Sequence, residues 1–230
     1  MLSDCFSRIG EGVAELVAPT RCAGCERQGA VFCERCRLQA AADYHPLTAC
    51  PRCGGPYGAL TCTECWDTEF SFQACCALGL LDGPLSRAVV LLKDGGEQRL
   101  ATVLGQLLAA RIKRMWGDWA DAVCWVPASR AAIRRRGFDH AALLADRVAQ
   151  CLGVPAHPAL QRVRSTELRG LGKAERAQVT RGFHAARRVH GNIVLIDDVF
   201  TSGATAQAAT DALLLAGAAA VRIAVLARTW

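Results

Sequence analysis

The sequence predicts an α/β protein in which a parallel sheet is flanked by helices and a small cysteine-rich module precedes the sheet. Three observations support this fold class. Short runs of β-favouring apolar residues alternate with helix-forming segments from about residue 74 onward. The most apolar of these runs is followed directly by two carboxylates and a glycine-containing turn. Four Cys-x-x-Cys pairs lie ahead of the first run.

Each element is justified by its composition. Strands are rich in Val, Ile, Ala and Cys, and helices carry apolar residues at helical spacing between glycine-bearing turns. We expect strands at 74–81, 122–126, 193–196 and 220–227, and helices at 85–92, 98–115, 140–152 and 206–215. The predicted units are an N-terminal helix at 1–20, a zinc module at 21–70 and an α/β domain at 71–230.

Length and composition limit the protein class. A chain of 230 residues with 52% hydrophobic and 21% charged residues can bury a sizeable core and is not expected to be disordered. Its apolar runs are too short and interrupted to cross a membrane. Residues 1–19 mix acidic and basic side chains with apolar ones at helical spacing, which predicts a packing helix rather than a signal peptide. We therefore expect a cytoplasmic location and no membrane span.

The spacing of the cysteines predicts structural zinc. Four Cys-x-x-Cys pairs within 44 residues can supply two closed Cys₄ sites, and a segment this short needs metal to hold it together. Sequential pairing is the simplest; interleaved pairing and a single ion remain open, and redox-active pairs lack the flanking strand and helix. Of the other cysteines, Cys5, Cys75, Cys76, Cys124 and Cys151 are expected to be buried small hydrophobes. The expected metal ligands are Cys22, Cys25, Cys33, Cys36, Cys50, Cys53, Cys62 and Cys65.

A predicted phosphate site follows the strand 193–196. Asp197 and Asp198 come where we expect this strand to end, and the turn from Thr201 to Thr205 leads into a helix. Backbone N–H groups and the positive end of a helix dipole favour a phosphate there, and the carboxylates suit sugar hydroxyls or hydrated Mg²⁺. A Walker B carboxylate is the alternative, but the chain lacks the matching phosphate loop. The pattern therefore predicts a ribose 5-phosphate site.

Basic residues form the second candidate anion site. From Arg111 to Arg188 the chain has 16 Lys or Arg against 6 Asp or Glu, which suits a phosphate-rich partner but also fits the composition of a GC-rich genome. Arg130 and the run Arg134, Arg135 and Arg136 stand between a strand and a helix, where an anion site or a solvated basic face is expected. Lys93 can likewise be a phosphate contact or a solvated lysine.

These motifs resemble a known family. The stretch from Asp197 to Thr205 resembles the phosphoribosyl diphosphate (PRPP) motif of type I phosphoribosyltransferases. The paired cysteines, Lys93 with Gly96, the segment Arg136-Gly137-Phe138 and the PRPP motif occur in the order found in the ComF family of competence proteins. The chain departs from the family pattern at Asp94 and at Asp139-His140, which replace an aromatic residue and Asn-Gln.

The resemblance implies a type I phosphoribosyltransferase-like fold and transfer from Mg-PRPP to an unknown acceptor. Thr201 replaces the aspartate of 6-oxopurine transferases, which disfavours a hypoxanthine-type acceptor. A lid is expected between Arg162 and Phe183, where Arg169 replaces the usual Gln; a surface helix is the alternative. Competing functions are a non-catalytic single-stranded-DNA-binding accessory of DNA uptake and a zinc scaffold for protein partners. The implied roles are catalysis for Asp197 and Asp198, 5-phosphate binding for Thr201, Ser202, Gly203, Ala204 and Thr205, and diphosphate binding for Arg134, Arg136 and Gly137.

Overall fold

The computed structural model describes residues 19–42, 49–55, 62–163 and 182–229. These residues form a four-stranded parallel sheet of order β1-β6-β5-β2 and a two-stranded antiparallel sheet of β3 and β4. The strands are β1 (Ala74–Leu80), β2 (Ala122–Trp125), β3 (Leu160–Arg162), β4 (Phe183–Ala185), β5 (Asn192–Phe200) and β6 (Ala220–Arg228). The helices are α1 (Glu34–Ala42), α2 (Gly83–Lys93), α3 (Arg99–Trp116), α4 (Arg130–Arg136), α5 (His140–Leu152) and α6 (Ala204–Leu215).

The central strand β5 is longer than the sequence predicts. We expected it to end at Ile196, but it runs to Phe200 and includes both aspartates. The added residues stay in the sheet because β6 continues to pair with them, as far as Phe200 opposite Arg228. On the other side, β2 pairs only with the residues from Ile193 to Ile196. The carboxyl end of β5 therefore projects past β2 and carries the predicted site.

Helices cover both faces of the sheet, as expected for an α/β fold. Alternate residues of β5 belong to opposite cores: Val194 and Ile196 pack with α2, α3 and α5, whereas Ile193 and Leu195 pack with α6. All four side chains are fully buried. The predicted fold class, a parallel sheet flanked by helices with an N-terminal cysteine module, is confirmed.

The cysteine module packs against the sheet. Cys22 and Cys36 belong to the core on the α2 and α3 side, whereas Cys50 and Cys65 belong to the core on the α6 side. The module also covers the edge of the sheet, since the Cys75 N–H in β1 donates a hydrogen bond of 3.0 Å to the Pro51 carbonyl. An edge strand that is paired in this way is protected from pairing with other chains.

Among the described residues, the cysteines outside the paired motifs are buried with one exception. Cys75, Cys76 and Cys124 are buried as expected, but Cys151 is exposed because it lies on the solvent side of α5, so that expectation was wrong. Two predictions fall largely outside the described residues. Of the expected helix at 1–20, which includes Cys5, only 19–20 are described. Of the expected lid from Arg162 to Phe183, which includes Thr166, Arg169 and Leu171, only 162–163 and 182–183 are described. Among the described helices, none is both long and apolar enough to span a membrane. The proposed unit boundaries stay predictions.

Candidate functional site

The predicted phosphate loop connects β5 to α6 at the carboxyl edge of the sheet. Thr201, Ser202, Ala204 and Thr205 are exposed, whereas Gly203 is buried. Helix α6 begins after Gly203 without a side-chain cap on that residue. The Ala204 N–H donates to Oγ of Ser202 over a long 3.5 Å, and the N–H groups of the next two residues are available to a ligand in the way that favours anions. The loop thus has the geometry of a phosphate cradle.

Gly203 is required for a reason that the sequence does not reveal. Its φ of +81° lies in the left-handed region, where a side chain is strained. A Cβ here would also lie 2.7 Å from Cζ of Phe200 and 2.9 Å from Cε1 of Phe70. In the structure the space beside Gly203 is filled by the protein's own aromatic rings.

The two aspartates lie on opposite faces of the sheet, because successive side chains of a strand alternate. Asp197 faces α6 and lines a small pocket with the loop, including Thr201, Gly203 and Thr205. Asp198 faces α2 and α5 and is buried. Only Asp197 is therefore beside the phosphate cradle, whereas the sequence alone suggested that the two carboxylates act as one pair.

Asp198 has two cationic or proton-donating partners. Its Oδ2 atom lies 2.5 Å from Nζ of Lys93, at the end of α2, and 3.2 Å from Nε2 of His140, at the start of α5. Its Oδ1 atom accepts a hydrogen bond of 2.8 Å from the Val199 N–H. Burial opposes ionisation of Asp198, but the hydrogen bonds and charges of His140 and Lys93 outweigh it and hold its pKa well below the usual range. Asp198 is thus an ionised carboxylate at neutral pH.

Asp197 is shifted in the opposite direction. Burial first, and then the negative charge of Asp198, raise the pKa of Asp197 to about 8. The Asp198 N–H donates to its Oδ1 atom over 2.9 Å, which favours the ionised form but does not offset burial. The site therefore holds one ionised carboxylate and one that retains its proton near neutrality, an arrangement typical of functional sites.

The arginine run forms α4, a short helix between β2 and α5 that was not predicted from the sequence. Arg134 and Arg135 are exposed, and the αL conformation of Gly137, with φ of +82°, ends the helix. The Arg136 side chain is only 9% exposed, and its Nη2 and Nε atoms lie 2.9 Å and 3.1 Å from Oδ1 of Asp94. Its Nη1 atom lies 3.4 Å from Nδ1 of His140. Arg136 and Lys93 therefore approach one site from two directions, linked through His140.

His140 and Lys93 were not assigned a site role from the sequence. His140 was identified as the start of a helix and as part of a departure from the family pattern, and Lys93 was interpreted as either a phosphate contact or a solvated residue. The usable signal was positional: each lies at a helix end on the carboxyl side of the parallel strands, where ligands bind in such sheets. That His140 is buried against Asp198 could not be deduced, because it depends on the packing of α5 against β5.

The eight paired cysteines form two separate groups in sequence order. Within each group the Sγ atoms lie within 4.8 Å of one another. Representative separations are 3.6 Å between Cys25 and Cys33 and 3.7 Å between Cys50 and Cys65. The groups are Cys22, Cys25, Cys33 and Cys36, and Cys50, Cys53, Cys62 and Cys65.

This geometry fits tetrahedral zinc. Zn–S bonds of about 2.3 Å place four sulfur atoms about 3.8 Å apart, close to the observed distances and far beyond a disulfide bond of about 2.05 Å. The Cys33 N–H points at Sγ of Cys22 over 3.2 Å, and the Gly55 N–H at Sγ of Cys53 over 3.4 Å, as is usual for thiolate ligands. Both groups could hold zinc, and bound zinc would supply a rigid crosslink. Sequential grouping is the arrangement that the structure shows.

Comparison with known proteins supports the resemblance noted from the motifs. No family model matches the chain. The DNA utilization protein YhgH of Salmonella typhi is 29% identical over 204 residues, which cover 84% of this chain and 90% of YhgH. YhgH of Escherichia coli K12 is 28% identical over the same coverage. Competence protein ComFC of Bacillus subtilis is 27% identical over 180 residues, or 74% of this chain and 73% of ComFC. The resemblance to the ComF family is confirmed.

Solved structures show only a partial likeness. Glutamine PRPP amidotransferase from Bacillus subtilis, complexed with ADP and GMP, has a TM-score of 0.38 and 25% identity over 54% of this chain. A structure described as the allosteric regulatory enzyme of purine biosynthesis has a TM-score of 0.38 and 22% identity over 55% of this chain. This chain spans about a quarter of each of those enzymes. The fold described above is established by its own sheet order.

Proposed function

We propose that this ComF-type protein binds PRPP and transfers its phosphoribosyl group to an acceptor, in association with DNA uptake. One observation carries the proposal: an uncapped helix N-terminus and exposed hydroxyls lie beside a carboxylate at the open carboxyl end of a central parallel strand. Ligands bind at this edge in open α/β sheets. The names of the relatives, DNA utilization protein and competence protein, support the association with DNA.

The loop from Thr201 to Thr205 holds the 5-phosphate in this proposal. N–H groups of the first turn of α6 and the exposed hydroxyls donate to the phosphate oxygens. Asp197, on the same face, is the carboxylate placed to accept hydrogen bonds from the ribose hydroxyls. Asp198 orients Lys93 and His140 from the opposite face of the strand.

The diphosphate group binds on the side of α4 in this proposal. Arg136 is the buried cation, Arg134 is an exposed one, and Gly137 ends the helix between them and α5. In the structure Asp94 forms the ion pair with the Arg136 guanidinium. The Asp94 side chain is 51% exposed, so an incoming diphosphate can replace it. Exchange of one carboxylate for a more highly charged anion keeps Arg136 paired throughout binding.

The transfer step follows from these placements. The bond between ribose C1 and the diphosphate oxygen breaks with its electron pair on the diphosphate, and the acceptor atom forms the new bond to C1. The acceptor releases its proton to solvent or to the leaving diphosphate. Cations around the diphosphate stabilise the departing charge, and the fixed ribose limits the motion of the oxocarbenium-like C1.

Magnesium enters this scheme with the substrate. Carboxylate oxygens are ligands that Mg²⁺ accepts, and Asp197 is partly accessible beside the loop, so Asp197 fits a magnesium ligand that would release its proton when the cation binds. Bound Mg²⁺ supplies charge neutralisation to the diphosphate. The cytoplasmic location expected from the sequence is kept as part of the proposal.

Calorimetric titration of PRPP with and without Mg²⁺ tests the proposal. We expect binding to the full chain, and Asp197→Asn should weaken it about tenfold, the effect of losing one hydrogen bond to the ribose hydroxyls. Asp118→Asn is a matched control, because Asp118 is 88% exposed and lies ahead of β2, at the opposite edge of the sheet. Absence of PRPP binding with Mg²⁺ present would refute the proposal.

Single-stranded DNA binding is a second candidate, favoured by the names of the relatives and by the basic excess between Arg111 and Arg188. Affinity should then fall steeply with salt, because phosphate contacts release counterions. Substitution of Asp197 should leave this salt dependence unchanged. Oligonucleotide binding without PRPP binding would favour this function over the transferase.

A further inference from the structure

The second cysteine group is joined to the phosphate loop by a continuous set of contacts. Arg228, the last residue of β6, is the centre of this connection. Its side chain is only 5% exposed. Its Nε atom donates to the Cys53 carbonyl over 3.2 Å, and its Nη2 atom lies 3.5 Å from Oε2 of Glu64. Arg228 therefore contacts the segments that carry both cysteine pairs of that group.

The same guanidinium holds the end of β5. Its Nη1 atom donates to the Phe200 carbonyl over 3.4 Å, and its Cζ atom lies 5.1 Å from the centre of the Phe200 ring. Thr229 adds a backbone N–H bond of 3.1 Å to the same carbonyl. Because Phe200 immediately precedes Thr201, Arg228 fixes the point from which the phosphate loop departs.

A second connection runs through aromatic rings. The linker between the second cysteine group and β1, residues 66–73, carries Phe70 and Phe72, whose rings stack with centroids 4.5 Å apart. Both rings meet the Phe200 ring edge-on, at centroid distances of 6.2 Å and 6.0 Å. Gly203 packs into the angle between Phe70 and Phe200. Offset and edge-on aromatic contacts are directional, so the ring positions restrict the loop.

A third connection reaches α6 itself. The Ser71 N–H donates to Oε1 of Gln207 over 2.9 Å, and Nε2 of Gln207 donates to the Ser71 hydroxyl over 2.5 Å. Gln207 lies in the first turns of α6, directly after the loop. The linker therefore touches the loop before, within and after the residues that form the phosphate cradle.

We propose that the second cysteine group, when it holds zinc, sets the conformation of the phosphate loop through Arg228 and the Phe70, Phe72 and Phe200 rings. Arg228 is then a positioning residue for phosphate binding. Without metal, a segment as short as 50–65 cannot keep its backbone in place. Arg228 would lose the Cys53 carbonyl and Glu64 while remaining buried, and a buried cation that loses part of its hydrogen bonds moves toward the partners that remain, here the Phe200 and Thr229 carbonyls. That the loop binds the 5-phosphate of PRPP rests on the proposed function. The coupling between the second cysteine group and the loop does not.

The first cysteine group is an internal comparison. It packs into the core on the α2 and α3 side, on the opposite face of the sheet from the loop. Among the described residues, its contacts lead to α2, where Arg87 donates to the Gly24 carbonyl over 2.9 Å. We therefore expect loss of this group to leave the phosphate loop unchanged.

Hydrogen exchange of the loop peptide 199–206 tests the coupling without any ligand. We expect Arg228→Gln to retain its zinc and to exchange roughly tenfold faster in this peptide, in line with typical coupling energies. Arg222→Gln is the matched control on the same strand, since Arg222 instead stacks on Trp119 with its Cζ 4.1 Å from the ring centre. Unchanged loop exchange in a zinc-loaded Arg228→Gln protein would overturn the inference.

Chelation of the unmodified protein supplies a second test if Arg228→Gln does not fold. As metal is removed, hydrogen exchange of the loop peptide 199–206 should rise in step with exchange of the peptide that contains Cys62 and Cys65. It should not follow exchange of the peptide that contains Cys33 and Cys36. Loop exchange that rises with exchange of the first cysteine group would equally overturn the inference.

A PRPP titration of the same samples separates the two proposals. Coupling of the loop to the second cysteine group without PRPP binding would retain the inference and reject the transferase. PRPP binding without this coupling would retain the transferase and reject the inference.

Discussion

At the scale of single residues, the site is defined by two neighbouring aspartates with opposite electrostatics. Asp198 is ionised because hydrogen bonds and charges of His140 and Lys93 lower its pKa. The negative charge of Asp198 in turn helps to keep the proton on Asp197. Burial is the larger cause of the raised pKa of Asp197. A carboxyl group in this condition weakens the fold at higher pH, so the placement of Asp197 is better explained by ligand binding than by stability.

Asp197→Asn should make the free protein more resistant to urea at pH 8 than the unmodified chain. The folded-state pKa of Asp197 is raised to about 8 from an ordinary value near 3.9, so the folded protein binds the extra proton between these pH values. Its contribution to stability is full below about pH 3.9 and falls as the pH rises toward 8. Asparagine has no such dependence.

Urea midpoints of the two proteins at pH 5 and pH 8 measure this effect. The increase in urea midpoint that Asp197→Asn causes should be larger at pH 8 than at pH 5. The same substitution should weaken PRPP binding. Asp118→Asn is again the control, because Asp118 is 88% exposed. An advantage that is equal at both pH values would show that Asp197 does not retain its proton.

At the scale of elements, the strand–loop–helix unit could be predicted from local sequence because its signals are local. The apolar run from Ile193, the polar turn and the alanine-rich helix each have a characteristic composition. The length of β5 could not be predicted, since it depends on pairing with β6 out to Arg228. The opposite faces of Asp197 and Asp198 follow from that extension, because alternation holds only while the strand continues.

The loop depends on one backbone position that a single substitution can test. Gly203→Ala adds strain at φ of +81° and forces a Cβ against Phe200 and Phe70, so we expect the free energy of unfolding to fall by about 2 kcal/mol or more. PRPP affinity should fall as well, because the first turn of α6 would move. Urea unfolding and calorimetry measure the two effects.

Gly153→Ala provides a matched comparison for this element. Gly153 also has a positive φ, of +73°, but a Cβ added there would meet no neighbouring side chain within 4 Å. It should show the cost of the backbone strain alone and retain PRPP affinity. Equal losses of stability in the two variants would show that the aromatic contacts around Gly203 do not matter.

At the scale of the whole molecule, the cysteine spacing predicted the metal groups well, whereas their relation to the sheet was not visible. Tight Cys-x-x-Cys turns are local features. The packing of Cys22 against the α2 and α3 core and of Cys50 against the α6 core is a long-range property. Likewise, the Arg228 contact with Cys53 joins residues 175 positions apart. The cysteine groups are therefore structural parts of both cores.

Zinc removal should consequently destabilise the entire chain. We expect two zinc ions per chain, and a strong chelator should lower the urea midpoint of the whole far-UV circular dichroism signal, most of which comes from the α/β domain. Zinc release and loss of this signal should coincide during unfolding, because cysteines of both groups pack into the cores. Replacement of zinc should restore the midpoint. An unchanged midpoint after removal of both ions would instead show that residues 21–70 form an independent unit, and a content clearly below one zinc per chain would refute the zinc assignment.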